Sequence, residues 1–193
     1  TMARIIAYRT QVNSMTIKPL LSELHDKFQS HYQQQHGTLP CMYHDADWPS
    51  PCEVGEVLSE QQIQWQAVPQ PSKNSLSDLA SALECNFPEA LNEFYSSFYA
   101  GNIIGNVEGH QIELLQAWNE DDFVRLQQNI TGHVLMKRKL KHADTVFIGL
   151  TEQDDLLITV ELETGKVWLE YVGKRPHHVL AVSLEEFLSI VVF

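Results

Sequence analysis

The 193-residue sequence predicts an α+β fold in which helices come first and a largely antiparallel sheet follows. One helix is expected within the sheet region, and a short helix closes the chain. Two observations carry this prediction. Apolar residues recur at helical spacing early in the chain, whereas short alternating runs separated by turn residues predominate later. The composition, 44% hydrophobic and 20% charged, is ordinary for one globular domain.

The first predicted helix begins directly after Met15, with Pro19 in its first turns and Gly37 as its stop. Its apolar face comprises Leu20, Leu21, Leu24, Phe28 and Tyr32. Met15 resembles an initiator methionine, because a helix follows it directly. We therefore expect residues 1–14 to be an N-terminal extension outside the fold. No internal repeat or strong linker divides residues 15–193, so we expect one domain there.

The second quarter of the chain predicts a loop, a strand and two helices. Residues 38–59 contain three prolines and indicate an extended loop. Residues 62–68 alternate in polarity and predict a strand. Ser75 with Asp78 has the spacing of a helix cap, and a further helix is expected over residues 89–98.

A hairpin is predicted for residues 101–118 around the turn Glu108-Gly109. Asn119 is a suitable cap for the next helix, whose C-terminal end is rich in cations, as the helix dipole favours. The apolar face expected for this helix comprises Phe123, Leu126, Ile130, Val134 and Leu135.

Three strands of a meander are expected next, over residues 145–150, 156–162 and 166–172. Residues 178–182 suggest a last strand. Ser183 with Glu186 forms a second capping box, which opens the short C-terminal helix.

Acidic residues dominate the middle of the chain. The net charge is −12, and residues 42–124 hold fourteen acidic residues and a single basic one. Phosphate-rich ligands need cations, so this balance argues against nucleic acid. The segment is either a solvated face or a negative surface that attracts a cationic partner.

Nine acids in this segment are the candidate contact residues. They would form one wall of negative charge if the proline-containing loop and the hairpin meet. For three of them, stabilisation of that helix end is an equally good role. The nine are Asp45, Asp47, Glu53, Glu56, Glu108, Glu113, Glu120, Asp121 and Asp122.

The three cysteines, Cys41, Cys52 and Cys85, are widely spaced and match no zinc pattern. We therefore expect no metal site, no cofactor and a reducing compartment. A thiol-dependent hydrolase would need a base beside Cys52. A buried, small apolar role is the better interpretation of Cys52, and Trp118 is better explained as a core anchor than as a contact residue.

Several short motifs resemble one known family. They are Ser50-Pro51-Cys52, Tyr99-Ala100-Gly101, the run from Leu114 to Phe123 that contains Trp118-Asn119-Glu120-Asp121-Asp122, Gly132-His133, and Glu186-Phe187-Leu188. Together they are similar to the Syd family, the SecY-interacting proteins of gamma-proteobacteria. The resemblance runs from about Met15 to the C-terminal end and is most specific between Trp118 and His133.

The resemblance implies a fold like that of the SUKH superfamily and no catalytic residues. It further implies a cytoplasmic protein held loosely at the inner membrane by SecY, whose basic cytoplasmic loops enter an acidic concavity. An immunity-type binder that neutralises a basic toxin is the alternative within the same superfamily. The oligomeric state stays open.

Lys137, Arg138, Lys139 and Lys141 form a basic cluster that raises the possibility of direct lipid contact. The sequence shows no basic amphipathic helix with exposed bulky apolar residues, which stable interfacial binding needs. We therefore expect the membrane to be reached only through SecY.

Overall fold

The computed structural model of the chain describes residues 16–193. Within this range it has an α+β architecture of five α-helices and eleven strands. This confirms the predicted fold class. The predicted extension, residues 1–14, lies outside the described residues.

The five helices are α1 (Ile17–His36), α2 (Ser77–Ala82), α3 (Glu89–Ser96), α4 (Glu120–Lys139) and α5 (Leu184–Ile190). Helix α1 ends at Gly37, which has the left-handed φ of 74° typical of a helix stop. Helix α2 begins later than predicted, because the Ser75 hydroxyl accepts from the Ser77 N–H at 3.0 Å and forms a local turn instead of a helix cap.

A small antiparallel sheet contains β1 (Cys41–Tyr43), β2 (Glu53–Val54) and β3 (Gln62–Trp65), in the order β1-β3-β2. The prediction of a loop throughout residues 38–59 was therefore wrong for β1 and β2. Strands of two or three residues are too short to show alternating polarity. They form because their backbones pair with β3.

The predicted strand over residues 62–68 also ends early, at Trp65. Strand β4 (Val68–Pro69) pairs instead with β5 (Phe98–Tyr99). This pairing draws Phe98 out of the predicted helix, so α3 stops at Ser96.

The main sheet has six strands, β6 (Ile103–Val107), β7 (His110–Leu114), β8 (Thr145–Thr151), β9 (Leu156–Glu161), β10 (Val167–Tyr171) and β11 (His178–Ala181). Their order is β11-β10-β9-β8-β7-β6, and all neighbours are antiparallel. Glu108 and Gly109 have φ values of 51° and 80°, which make the β6–β7 connection the predicted two-residue turn.

The main sheet is curled. Glu108 lies beside the edge strand β6 and His178 lies on the opposite edge strand β11, yet Glu108 Oε2 and His178 Nε2 are 3.4 Å apart. Register shifts in the β8–β9 and β10–β11 pairings accompany this curvature.

Helix α4 packs on the main sheet through most of the predicted face, which comprises the buried Phe123, Ile130 and Val134 and the partly buried Leu126. Leu135 is 52% exposed, whereas His133 and Lys137 are buried. Lys137 Nζ lies 2.7 Å from Glu170 Oε1 of β10 and also donates to the Lys174 carbonyl at 2.8 Å. A lysine gives no apolar signal, so periodicity alone placed Leu135 instead of Lys137 at the end of the buried face.

Both oxygens of the Glu170 carboxylate accept hydrogen bonds. Thr145 of β8 and Thr159 of β9 donate their hydroxyl protons to it at 3.1 and 3.0 Å. His133 Nε2 lies 2.9 Å from the Thr145 hydroxyl. Because the Thr145 proton is directed to Glu170, His133 is the donor in that contact.

Candidate acidic binding surface

The loop that follows β1 is held against the start of α4. The Ser50 hydroxyl donates to the Trp118 carbonyl at 2.5 Å and accepts from the Cys52 N–H at 3.0 Å. The Asn119 side chain donates to the Pro49 carbonyl at 2.9 Å. These bonds join segments almost seventy residues apart, so the loop and the helix start form one surface.

The first turn of α4 is capped as predicted. Asn119 Oδ1 accepts from the Asp122 N–H at 2.8 Å, and Asp122 Oδ2 accepts from the Trp118 N–H at 2.8 Å. Arg125 donates to Asp122 Oδ1 at 2.6 Å, and its guanidinium carbon lies 5.2 Å from the centre of the Trp48 ring. The Asp122 carboxylate therefore has a structural role.

Four exposed acids surround this junction. Glu120 and Asp121 follow the Asn119 cap directly, and Asp45 and Asp47 lie in the loop just before Pro49. None of the four side chains makes an ion pair within residues 16–193. We call these four residues the acidic corner.

Other predicted contact acids have internal partners or lie elsewhere. Glu53 is paired with His44, with Nδ1 and Oε1 3.1 Å apart. Glu113 Oε1 accepts from Asn102 Nδ2 at 2.8 Å. Glu56 is exposed beyond β2, and no hydrogen bond or ion pair of the described chain ties it to α4.

Glu108 is separated from the acidic corner by the length of the hairpin. The opposite end of the hairpin joins the α4 junction, where the Ala100 N–H donates to the Ala117 carbonyl at 2.9 Å. Four residues of strand span roughly 13 Å. Glu108 therefore stands apart from the acidic corner, and a single wall of all nine acids stays a prediction.

Glu108 instead borders the open end of the curled sheet at the β6–β7 and β8–β9 turns, which we call the mouth of the sheet. A cavity of about 200 Å³ opens there between the β6–β7 turn, the β8–β9 turn and β11. Apolar side chains from five strands line it, and Glu108 and Glu152 stand at its rim. The apolar lining residues are Val107, Ile112, Leu156, Leu169 and Leu180.

The acids of the β8–β9 turn were not among the nine predicted contact residues. Glu152, Asp154 and Asp155 are exposed, but they belong to the last third of the chain, whose charges nearly cancel. A count over a short window would have found them.

Comparison with known proteins indicates the same family as the sequence motifs, two of which meet at the acidic corner. The profile of the family described as Syd protein (SUKH-2) matches residues 18–192. The chain belongs to the Syd family. Protein Syd of Pseudoalteromonas translucida is 57% identical over 175 residues, which cover 91% of this chain and 98% of the relative.

Two more distant relatives cover nearly as much. Protein Syd of Pseudoalteromonas atlantica is 38% identical over 90% of this chain and 94% of its own length. Protein Syd of Tolumonas auensis is 42% identical over 82% of this chain and 80% of its own length. The predicted family is thus confirmed.

Cys52 of this Syd-family chain is a buried thiol. Burial raises its pKa to about 11, and its Sγ donates to the Trp118 carbonyl at 3.9 Å. A thiol that stays protonated is a poor nucleophile, so the packing role expected for Cys52 is confirmed. Trp118 is also buried, with its ring edge-to-face against Trp65 at 6.2 Å between centres, as expected of a core anchor.

Two of the four residues of the predicted basic cluster are neutralised by ion pairs. Lys137 is fully buried in its pair with Glu170, and Arg138 forms a two-pronged pair with Asp144, the closest distance being 2.6 Å. Only Lys139 and Lys141 of the four remain exposed and unpaired within the described range.

Two further observations bear on the class of site. Within residues 16–193, no group of three His, Cys, Asp or Glu side chains is arranged to hold a metal ion. No helix in the described range has an apolar stretch long enough to cross a membrane.

Proposed function

We propose that this chain binds basic cytoplasmic loops of the translocon subunit SecY through the acidic corner and thereby regulates or monitors translocase assembly. Membership of the Syd family supports SecY as the partner. The observation that carries the choice of surface is the joining of Ser50-Pro51-Cys52 to Trp118 and Asn119, which gathers four unpaired carboxylates.

The nine predicted acids take different parts in this proposal. Exposed, unpaired carboxylates attract a cationic segment and accelerate its association, so Asp45, Asp47, Glu120 and Asp121 make the first contact, and Glu56 extends the surface. Glu53, Glu113 and Asp122 shape the surface through their internal bonds. Glu108 contributes from the mouth of the sheet.

The protein acts by binding and without catalysis, on the cytoplasmic side of the inner membrane. SecY is its principal anchor there. Immunity-type neutralisation of a basic toxin is the alternative, since an acidic surface suits either partner. Affinity purification from a membrane extract separates the two, because SecY is recovered in one case and a soluble basic protein in the other.

The test compares three variants in binding to SecY in reconstituted vesicles. Each removes four negative charges, from the acidic corner, from a distant exposed control set, or from the mouth of the sheet. The variants are D45N/D47N/E120Q/D121N, D26N/D78N/E84Q/E163Q and E108Q/E152Q/D154N/D155N.

We expect the acidic-corner variant to lose at least tenfold in affinity while the control variant changes little. Thermal unfolding of each variant confirms that it is folded. Normal binding by the folded acidic-corner variant, with loss in the mouth variant, would move the site to the cavity. Equal binding by all three would remove these acids from the mechanism.

We also propose that residues 15–193 form a single domain and that residues 1–14 are dispensable for it. The family profile begins at residue 18, which supports this boundary. A chain that starts at Met15 should keep its melting temperature and its SecY binding, and a large drop in either would refute the boundary.

A further inference from the structure

Four exposed cations gather at the opposite end of α4 from the acidic corner. Lys139 and Lys141 lie at the C-terminal end of the helix, and Lys174 and Arg175 lie in the β10–β11 turn. Lys137 joins the two segments, since its Nζ donates to the Lys174 carbonyl at 2.8 Å while pairing with Glu170. We call the four cations the basic corner.

The basic corner is free of ion pairs within residues 16–193, although acids lie at its border. None of its four side chains forms an ion pair in the described part of the chain, although the neighbouring Arg138 is neutralised by Asp144. The acids at its border are Glu163 beyond Asp144, and Asp154 and Asp155 of the β8–β9 turn.

His142, which directly follows Lys141, lies near the cations of the β10–β11 turn. Its pKa is below the usual value, first because of desolvation and then because of Lys137, Arg175 and Lys174. The β10–β11 turn therefore lies close to the residue that directly follows Lys141.

Exposed apolar side chains accompany the cations. Leu140, between Lys139 and Lys141, is 44% exposed, and Val172, just before Lys174, is 52% exposed. Cations interspersed with exposed aliphatic groups are typical of surfaces that lie on a lipid bilayer. Nucleic-acid surfaces instead combine cations with polar or aromatic groups.

We propose that the basic corner binds the surface of an anionic lipid bilayer directly. Each cation near such a surface strengthens binding by roughly fivefold. The acidic corner opposes this little, because α4 has twenty residues and separates the two corners by about 30 Å, several times the screening length of about 8 Å.

This inference does not rest on SecY binding, and it revises the expectation that lipid is reached only through SecY. That expectation rested on the net charge of −12, which an anionic bilayer repels, and on the lack of a basic amphipathic helix with exposed bulky apolar residues. With the basic corner on the bilayer, α4 directs the acidic corner toward proteins that project from the membrane.

The test is cosedimentation of the full chain with SecY-free vesicles of phosphatidylcholine, with or without phosphatidylglycerol. We expect binding only to the vesicles that contain phosphatidylglycerol, and weaker binding as salt rises. Two charge-reversal variants with the same change in net charge are compared, K141E/K174E at the basic corner and K18E/K73E elsewhere.

The basic-corner variant should lose at least tenfold in vesicle binding and the control less than threefold. Leu140→Ser should weaken binding without a change in charge. If K141E/K174E fails to fold, K139E/R175E provides the same comparison.

Three results would overturn the proposal. They are no binding of the unmodified chain to anionic vesicles at low salt, equal losses in both charge-reversal variants, and equally tight binding to a single-stranded oligonucleotide. The last would identify a general phosphate surface.

Discussion

The Gln116 side chain determines which ring nitrogen of His25 carries the proton. Gln116 Nε2 donates to the carbonyls of Phe94 and Leu115 at 3.1 and 3.0 Å, so its Oε1 is the atom that faces His25. His25 Nε2, at 3.3 Å, must therefore carry the proton. Its Nδ1 is buried with no partner among residues 16–193, and the imidazole is neutral.

Acid should destabilise the fold through His25. Burial lowers its pKa from 6.5 to about 4, so the unfolded chain binds more protons between these values. Stability is complete above pH 6.5 and is lost as the pH falls toward 4, by about 3 kcal/mol at most. Urea unfolding measured from pH 7 to pH 4 tests this.

His25→Gln keeps a donor for Gln116 and removes the titrating group, so its stability should fall less steeply with acid. The exposed His36, changed in the same way, is the control and should behave like the unmodified chain. An unchanged slope in His25→Gln would assign the acid sensitivity to other groups.

Helix α4 is the element that organises the molecule. Its N-terminal cap holds the acidic loop, its middle packs on the main sheet, and its last turn buries Lys137 against β10. One helix thus fixes the positions of both charged corners.

Lys137→Met should cost about 3–5 kcal/mol in the free energy of unfolding, because it leaves the Glu170 carboxylate buried without its counter-ion. Adding Glu170→Gln should restore part of this, since the residual charge is removed while one of the two threonine hydroxyls keeps an acceptor. Lys139→Met, on the exposed side of the same turn, should change stability by less than about 0.5 kcal/mol.

Denaturant titrations of these three variants and of Glu170→Gln alone complete the double-mutant cycle. Strict additivity of Lys137→Met and Glu170→Gln would mean that the two groups are not coupled, contrary to their 2.7 Å separation.

Asn119 has two separable roles, as helix cap and as loop tether. Asn119→Ala removes both and should cost about 1–2 kcal/mol. Asn119→Asp keeps the cap acceptor but cannot donate to the Pro49 carbonyl, so most of the helix stability should remain while the loop loosens. Hydrogen exchange of residues 45–50 should quicken in both variants, and unchanged exchange in Asn119→Asp would exclude the tether.

At the scale of the whole molecule, charge is segregated by the fold. The net charge is −12, yet the acidic corner and the basic corner lie at opposite ends of one helix. A molecule so polarised is oriented by a charged surface before it makes contact.

Binding to SecY should weaken as salt rises from low to physiological concentration, mainly through a slower association rate. The rate of the acidic-corner variant should respond less to salt than that of the unmodified chain. Rates measured by surface-immobilised SecY test this, and an association rate independent of salt would exclude electrostatic steering.

Local signals in the sequence determined most of the secondary structure. The caps at Asn119 and Ser183, the stop at Gly37 and the two-residue turn at Glu108 each act within four residues, so their chemistry is legible along the chain. The motifs that indicate the family are likewise short and continuous.

Tertiary structure alone decided which charges share a surface. The acidic corner needs the Ser50–Trp118 and Pro49–Asn119 bonds, and the basic corner needs Lys137 to reach Lys174. The short strands β1 and β2 exist only through pairing with β3. Such contacts join residues far apart in the chain, and their energies depend on burial and partner geometry, which no local pattern of residue types encodes.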